Sequence, residues 1–318
     1  MTNQRKNPDP TMRTARVHAH GGPAVIRTEV VPRPRPAPGE VLVRVAATSF
    51  NPTEAAQRAG LLRAFLPVPL PYAPGWDVAG TVVARGPGTT GPAVGDRVVG
   101  RFDGGGAAAE YVSVPADLLV PAPRSVPLAY AAALPVAGLT AWQAVFEHGG
   151  TRPGQRVLVN GAGGGVGGFA TQLAKHAGAE VLATAGPRSA AAVREHGADR
   201  VIDHTAGPLA AALDAPVDLL LNLVPLAPPA AEALVPLVRR GGRIVSIATP
   251  VEPAADTGVS AMHFVARNDR AQLSELVGLV DAGVVRIDVG EVRPLTELAE
   301  VHRLSESGGI RGKVLIVP

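Results

Sequence analysis

Apolar and polar positions alternate in short runs along the first third of the chain, and the period changes beyond Tyr130. The early runs lie at residues 15–18, 41–45, 78–83, 97–99 and 111–114, most of them rich in valine. Turn formers separate them, among them Pro36-Ala-Pro-Gly39 and Gly86-Pro-Gly88. Short strand-like runs between Pro and Gly clusters predict antiparallel strands, so an all-β domain is expected over 13–128. Beyond Tyr130, strand-length apolar runs alternate with segments of helical spacing, a pattern that implies a parallel sheet flanked by helices. Strands are predicted at 156–159, 180–183, 200–202, 217–221 and 243–247, and helices at 164–176, 189–196 and 230–239, within a domain over 129–266. Two more helices, 271–281 and 295–305, and a last strand, 313–317, are expected in a segment, 267–318, that returns to the first domain. Residues 1–12 are polar and read as a flexible tail. The predicted fold class is α/β, a β-rich domain joined to a doubly wound parallel-sheet domain.

One interruption in this pattern carries chemistry. The apolar run at 156–159 is followed by Asn160-Gly-Ala-Gly-Gly-Gly-Val-Gly-Gly168, and then by Phe169, Leu173 and Ala174 at helical spacing. Strand, glycine turn and helix in this order form a dinucleotide-binding fingerprint, with Ala162 in the first glycine slot, then Gly164 and Gly167. Glycines let backbone approach a pyrophosphate closely, and the unpaired N–H groups of the first helical turn favour an anion. The end of the next strand adds to the picture. An NAD-selective protein carries Asp or Glu there to accept the ribose hydroxyls, whereas this chain has Ala183-Thr-Ala-Gly-Pro-Arg-Ser189. Arg188 and Ser189 offer a cation and a hydroxyl to a 2′-phosphate, which favours NADPH over NADH.

Composition narrows the function classes. At 318 residues the chain is long enough for two domains with substantial cores. The absence of cysteine excludes disulfides, thiolate catalysis and cysteine-ligated zinc. The eight histidines are scattered without paired ligand spacing. The pI is 9.7, yet net charge is only +3, and the arginines form no block. With aromatics at 3%, a basic stripe with interleaved rings is missing, which argues against nucleic acid. No apolar stretch suits a membrane span, and the N-terminus lacks a signal core, so a cytoplasmic protein is expected.

Motifs spread along the whole chain resemble one family. They are Pro38-Gly-Glu-Val-Leu-Val-Arg-Val45, Ser49-Phe-Asn-Pro52, Pro74-Gly-Trp-Asp-Val-Ala-Gly-Thr-Val82 and Val94-Gly-Asp-Arg-Val98. Ala109-Glu-Tyr-Val112, Gly138-Leu-Thr-Ala-Trp142, the glycine turn, Leu237-Val-Arg-Arg-Gly-Gly-Arg-Ile-Val245 and Arg311-Gly-Lys-Val-Leu315 complete the series. From Met12 to Pro318 the chain resembles zinc-free medium-chain dehydrogenases/reductases of the quinone oxidoreductase (zeta-crystallin-like) branch. The resemblance implies a GroES-like substrate domain and a Rossmann domain, with the active site in the cleft between them. Zinc-dependent relatives carry Cys where this chain has Asn51, and His-Glu where it has Trp76-Asp77, so no metal is expected.

The resemblance also implies which residues meet the cofactor. Gly163, Gly164, Gly165 and Val166 would cradle the pyrophosphate, and Gly186, Arg188, Ser189 and His204 would serve the adenosine end. Asn51 and Thr140 would lie near the nicotinamide and its ribose. Ser246, Ile247, Ala248, Thr249, Phe264 and Val265 would border the same pocket, with Arg311 and Lys313 approaching from the returning segment. Ala56 and Leu62 stand where several relatives carry pocket tyrosines, which loosens the link to quinones. Asn51 and Tyr72 are the candidates for direct catalysis, although a turn role for Asn51 and core packing for Tyr72 are open as well. Without a Lewis acid, hydride suits a conjugated acceptor, a quinone or an α,β-unsaturated carbonyl. Two alternatives are an enoyl or enone reductase of a biosynthetic pathway and a non-catalytic NADPH- or RNA-binding relative of zeta-crystallin. The apolar run Met262-His-Phe-Val265 is expected near a sheet edge, and a homodimer built by pairing such edges is expected with it.

Overall fold

The computed structural model describes residues 10–318. The tail expected over 1–12 therefore lies outside the described residues up to residue 9. Its last positions are already structured, since Thr11 and Met12 pair with Pro32 and Val31 in a two-stranded antiparallel ribbon. The second strand of that ribbon, Ile26–Pro32, escapes the sequence pattern because Ile26 is its only buried residue.

One compact unit comprises the described residues up to Ala132 with Glu291–Ile310 and Val314–Pro318. Its main sheet has seven strands centred on Glu40–Ser49, which pairs antiparallel with Asp77–Arg85, Tyr111–Pro115 and Lys313–Val317. Alternation along these strands turns Val41, Val43, Val45, Val78, Val82 and Val112 into one core. Each such valine contributes about 1.5–3 kcal/mol by leaving water. Glycine at position 60, with φ at +83°, closes the short helix Pro52–Ala59 that follows the central strand.

The second unit comprises Ala133–Gly290 with Arg311–Lys313. Six parallel strands lie in the order Arg200–Asp203, Glu180–Ala185, Arg156–Asn160, Val217–Asn222, Val238–Ser246, Ser260–His263. Numbered along the chain this is 3-2-1-4-5-6, the Rossmann order, and its direction reverses between Arg156–Asn160 and Val217–Asn222. The central strands are covered on both faces, which explains their unbroken apolar runs: Leu158, Leu182, Leu220 and Ile244 are buried together.

Three features depart from the expected pattern. The helix expected over 230–239 is only Pro228–Glu232, followed by a 3-10 turn at Val235–Leu237 and then by the strand Val238–Ser246. Pro236 has no N–H to continue a helix, and the β-branched Val238 enters the sheet. An unforeseen helix, Pro135–Trp142, is buried nearly all round, so it shows no polar face to betray it. The return to the first unit starts at Glu291 instead of 267, because Arg270–Asp281 packs within the Rossmann unit. Leu273 and Leu276 of that helix are fully buried, and the Gln143 side chain donates to Arg267 O at 3.0 Å and Gln272 Oε1 at 2.8 Å. Among the described residues no helix is long and apolar enough to cross a membrane.

Candidate functional site

The glycine turn sits where the strand order reverses, at the C-terminal end of Arg156–Asn160. Gly161 makes the bend with φ at +95°, and a side chain there would strike Val224, 2.5 Å from the added Cβ. Gly167 allows the helix Gly165–His176 to close on the turn, since a Cβ would lie 2.6 Å from Ala162 Cα. Gly164 differs from both. It is exposed, its backbone is extended (φ −88°, ψ 172°), and an added Cβ would meet only Gly161 O at 3.5 Å. The bend thus resides at Gly161, and Gly164 leaves open space beside the first unpaired N–H groups of the helix. Around Gly163 and Gly165 the protein itself takes up the room. Ser189 Cβ lies 2.6 Å from a Cβ on Gly163, and Lys313 Cδ lies 2.6 Å from one on Gly165.

Behind the turn runs a polar crossbar that the sequence reading missed. Thr184 Oγ1 donates to Asn160 Oδ1 at 2.9 Å, Asn160 Nδ2 to Asn222 Oδ1 at 3.0 Å, and Asn222 Nδ2 to Ser246 Oγ at 3.1 Å. Asn160, Asn222 and Ser246 end three of four adjacent strands and Thr184 is one residue short of the end of the fourth; Thr184 Oγ1 also accepts from Gly161 N–H at 2.8 Å. The network holds the strand ends, and with them the turn, in one register. A signal was present: Val-Leu-Val-Asn160 and Leu-Leu-Leu-Asn222 each end an apolar run in asparagine. Ser246, expected at the cofactor, is fully buried and hydrogen-bonds Thr249 O at 2.6 Å, so its side chain supports the crossbar. Ile247, Ala248 and Thr249 follow on the more open side, with Thr249 Oγ1 accepting from Leu226 N–H at 2.9 Å.

At the end of the second strand, Gly186, Arg188 and Ser189 lie in one turn, with Ser189 Oγ donating to Gly186 O at 3.3 Å. His204 joins them, its Nε2 being 3.4 Å from a Cβ placed on Gly186. Arg188 and His204 are exposed, and Val166 is partly so. Thr140 is buried and bonds back to Val136 O at 2.7 Å. Phe264 is buried against the His148 ring, with centroids 4.3 Å apart, whereas Val265 is exposed. Arg311 pairs with Asp288 at 2.9 Å, and Lys313 is buried.

Asn51 and Tyr72 belong to the β-rich unit. Asn51 stands at the N-cap of Pro52–Ala59 without capping it. Its Nδ2 instead donates to Asp77 Oδ2 at 2.9 Å and Glu54 Oε1 at 3.1 Å, with Ser49 O at 3.4 Å. Two hydrogens face three acceptors, so this amide nitrogen has no donor left for a ligand. Ser49 Oγ also donates to Asp77, and Glu54 Oε2 accepts from Gly75 N–H at 2.8 Å. All four polar side chains are buried. Burial, helped by the Glu54 charge, pushes the Tyr72 phenol up to about 12, and its hydroxyl is buried without a hydrogen-bond partner. Tyr72 therefore keeps its proton at neutral pH. Among the described residues no group of three His, Cys, Asp or Glu is arranged to hold a metal ion.

Two families match by sequence: the alcohol dehydrogenase GroES-like domain over residues 37–124 and zinc-binding dehydrogenase over residues 196–316. A chloroplast envelope quinone oxidoreductase homolog of Arabidopsis thaliana is 35% identical, covering 94% of this chain and 95% of its own length. The NADPH-dependent alkenal/one oxidoreductase of the Arabidopsis thaliana chloroplast is 31% identical, covering 94% and 78%. The structure of Escherichia coli quinone oxidoreductase complexed with NADPH superimposes with a TM-score of 0.87 at 27% identity, covering 97% of this chain and 100% of that one. Fold, glycine turn and relatives agree: the chain belongs to the medium-chain dehydrogenase/reductase superfamily, in its quinone oxidoreductase branch.

Proposed function

We propose that this oxidoreductase uses NADPH to reduce a quinone or an α,β-unsaturated carbonyl without a metal ion. The observation that carries the reading is the exposed, unstrained Gly164 at the N-terminus of the glycine helix, where an added Cβ would meet only Gly161 O at 3.5 Å. NADPH, when bound, supplies the hydride. The turn residues Gly163, Gly164, Gly165 and Val166 would hold the pyrophosphate by backbone N–H groups and the helix end. Arg188 and Ser189 would receive the 2′-phosphate, with Gly186 and His204 beside the adenosine, and the missing carboxylate supports this choice. Thr140, the backbone at 246–249, Phe264, Val265, Lys313 and Asn51 remain proposed contacts toward the nicotinamide. The amide hydrogens of Asn51 are engaged by Asp77 and Glu54. Asn51 would not polarise the acceptor.

Metal independence rests on chemistry: Asn51 and Trp76 stand where zinc-dependent relatives place Cys and His, and neither is a zinc ligand of choice. The Tyr72 hydroxyl is buried with no hydrogen-bond partner through which a proton could be passed on or replaced, so the proton is assigned to water. A second reading is an enoyl or enone reductase of a biosynthetic pathway; the alkenal/one relative, by its name, acts on a conjugated carbonyl. NADPH oxidation with 9,10-phenanthrenequinone, 1,4-benzoquinone, a series of enones and enoyl thioesters separates the two. Turnover of quinones or simple enones supports the first, turnover of enoyl thioesters alone the second. No turnover with any of them refutes both.

A further inference from the structure

Three chain passes meet at the glycine turn, and two of them come from far along the sequence. Gly312, with φ at +61°, forms a parallel bridge with Gly164, and its N–H donates to Gly163 O at 3.2 Å. The next residue, Lys313, lays its side chain over Gly165. This short clasp is tied in turn to the pass through Asp288. Arg311 Nη1 reaches Asp288 Oδ2 at 2.9 Å and Nη2 approaches Oδ1 at 3.5 Å, while Lys313 N–H donates to Asp288 O at 3.4 Å. Gly290 has no side chain to separate the passes, since a Cβ there would collide with Arg311 O. The Asp288 pass is itself bolted to the glycine helix. Gln172 Oε1 accepts from Arg286 N–H at 2.7 Å, and Gln172 Nε2 donates to Arg286 O at 3.0 Å and Gly168 O at 3.1 Å. His196, buried against Gly168, holds its Nε2 3.9 Å from Asp288 Oδ2.

We infer that Asp288 and Arg311 are a positioning pair, which holds the 311–313 clasp on Gly163–Gly165 and so sets the turn for the cofactor, and that Arg311 is not itself a cofactor ligand. The guanidinium already faces a carboxylate with both terminal nitrogens, the geometry in which arginine is fixed rather than offered. The inference rests on the NADPH reading for its consequence and on this geometry for its content.

A double-mutant cycle tests it. NADPH dissociation constants are measured by fluorescence titration for the wild type, Asp288→Ala, Arg311→Ala and the double variant. A positioning pair predicts that each single change weakens binding about three- to tenfold, and that the double variant is within about twofold of either. It also predicts little change in kcat at saturating NADPH. Loss of affinity in Arg311→Ala with wild-type affinity in Asp288→Ala would overturn the inference, because Arg311 would then touch the cofactor. Amide hydrogen exchange in the peptide spanning 161–168 gives a readout free of cofactor. Faster exchange in both single variants supports the clasp, and exchange equal to wild type overturns it. A wild-type protein that binds no NADPH refutes the functional reading, and the exchange experiment still decides the pair.

Discussion

Gly164 allows the claim of a phosphate site to be separated from the claim of a well-packed loop. A serine there adds a Cβ that meets nothing closer than Gly161 O at 3.5 Å, at a backbone angle open to any residue. Gly164 is also the N-cap of Gly165–His176, a position where serine is among the better residues, so the change should cost no more than about 0.5 kcal/mol. Such a cost corresponds to a fall in Tm of about 2 °C or less for a chain of this size. A phosphate resting on the same backbone would be displaced, with the loss of at least one charge-assisted hydrogen bond worth about 1.5–3 kcal/mol, or about 10- to 150-fold in Kd. Gly167→Ala is the opposite case. Its Cβ would lie 2.6 Å from Ala162 Cα, and overpacking of backbone costs roughly 1–3 kcal/mol. Thermal melts and NADPH titrations of the two variants should therefore diverge: Gly164→Ser stable and weakly binding, Gly167→Ala markedly less stable. A Gly164→Ser protein that binds NADPH as the wild type does would refute the assignment of the turn.

Arg188→Ala should weaken NADPH binding at least about tenfold and leave NADH binding nearly unchanged, as one charge-assisted contact is removed; equal effects on both cofactors would take Arg188 out of the 2′-phosphate site. Purified protein should oxidise NADPH equally before and after EDTA treatment, and activity lost to the chelator but restored by zinc would contradict metal independence. The edge strand Ser260–His263 leaves Met262 exposed, with Val265 just beyond it, so a two-fold dimer with a continuous sheet is expected; Met262→Lys should shift light scattering from dimer to monomer, and a monomeric wild type at micromolar concentration would contradict it. His302 is buried against Phe50, and burial, with a smaller push from Arg58, lowers its pKa from 6.5 to about 3. Only the unfolded chain takes up that proton below pH 6.5, so the folded state loses stability as pH falls, by about 2 kcal/mol down to about pH 5 from this residue. Urea unfolding of His302→Leu should show a correspondingly shallower loss, and an unchanged pH slope would mean that the histidine titrates normally.

The strands of both units could be read because valine and leucine runs of strand length lie between glycine and proline turns. The helix Pro135–Trp142 could not, since a helix buried nearly all round has no polar stripe. The helix expected over 230–239 was read past Pro236, whose missing N–H is a local signal that the apolar spacing outweighed. At the site, the glycine spacing located the turn but could not tell that Gly161 bends it while Gly164 leaves it open. That division depends on φ and on neighbours such as Val224. Asn160 and Asn222 were visible as polar ends of apolar runs, yet their bond to each other exists only once their strands are adjacent. Asp288 and Arg311, 23 residues apart, gave no sign of pairing, and no local rule links two residues separated by a helix that belongs to the other unit.

The clasp has a consequence for how the chain acquires its shape as it is made. Gly164 is translated well before Gly312, and the chain between them finishes the Rossmann strands and then contributes Glu291–Ile310 to the other unit. A nascent Rossmann unit therefore carries an open glycine turn until a contact of very long sequence separation forms, the kind of contact that slows folding. Neither unit is a continuous stretch of gene. A fragment cut at the apparent boundary after Gly290 would keep all six parallel strands and lose the clasp, so domain exchange with a relative should be made with 311–313 carried along.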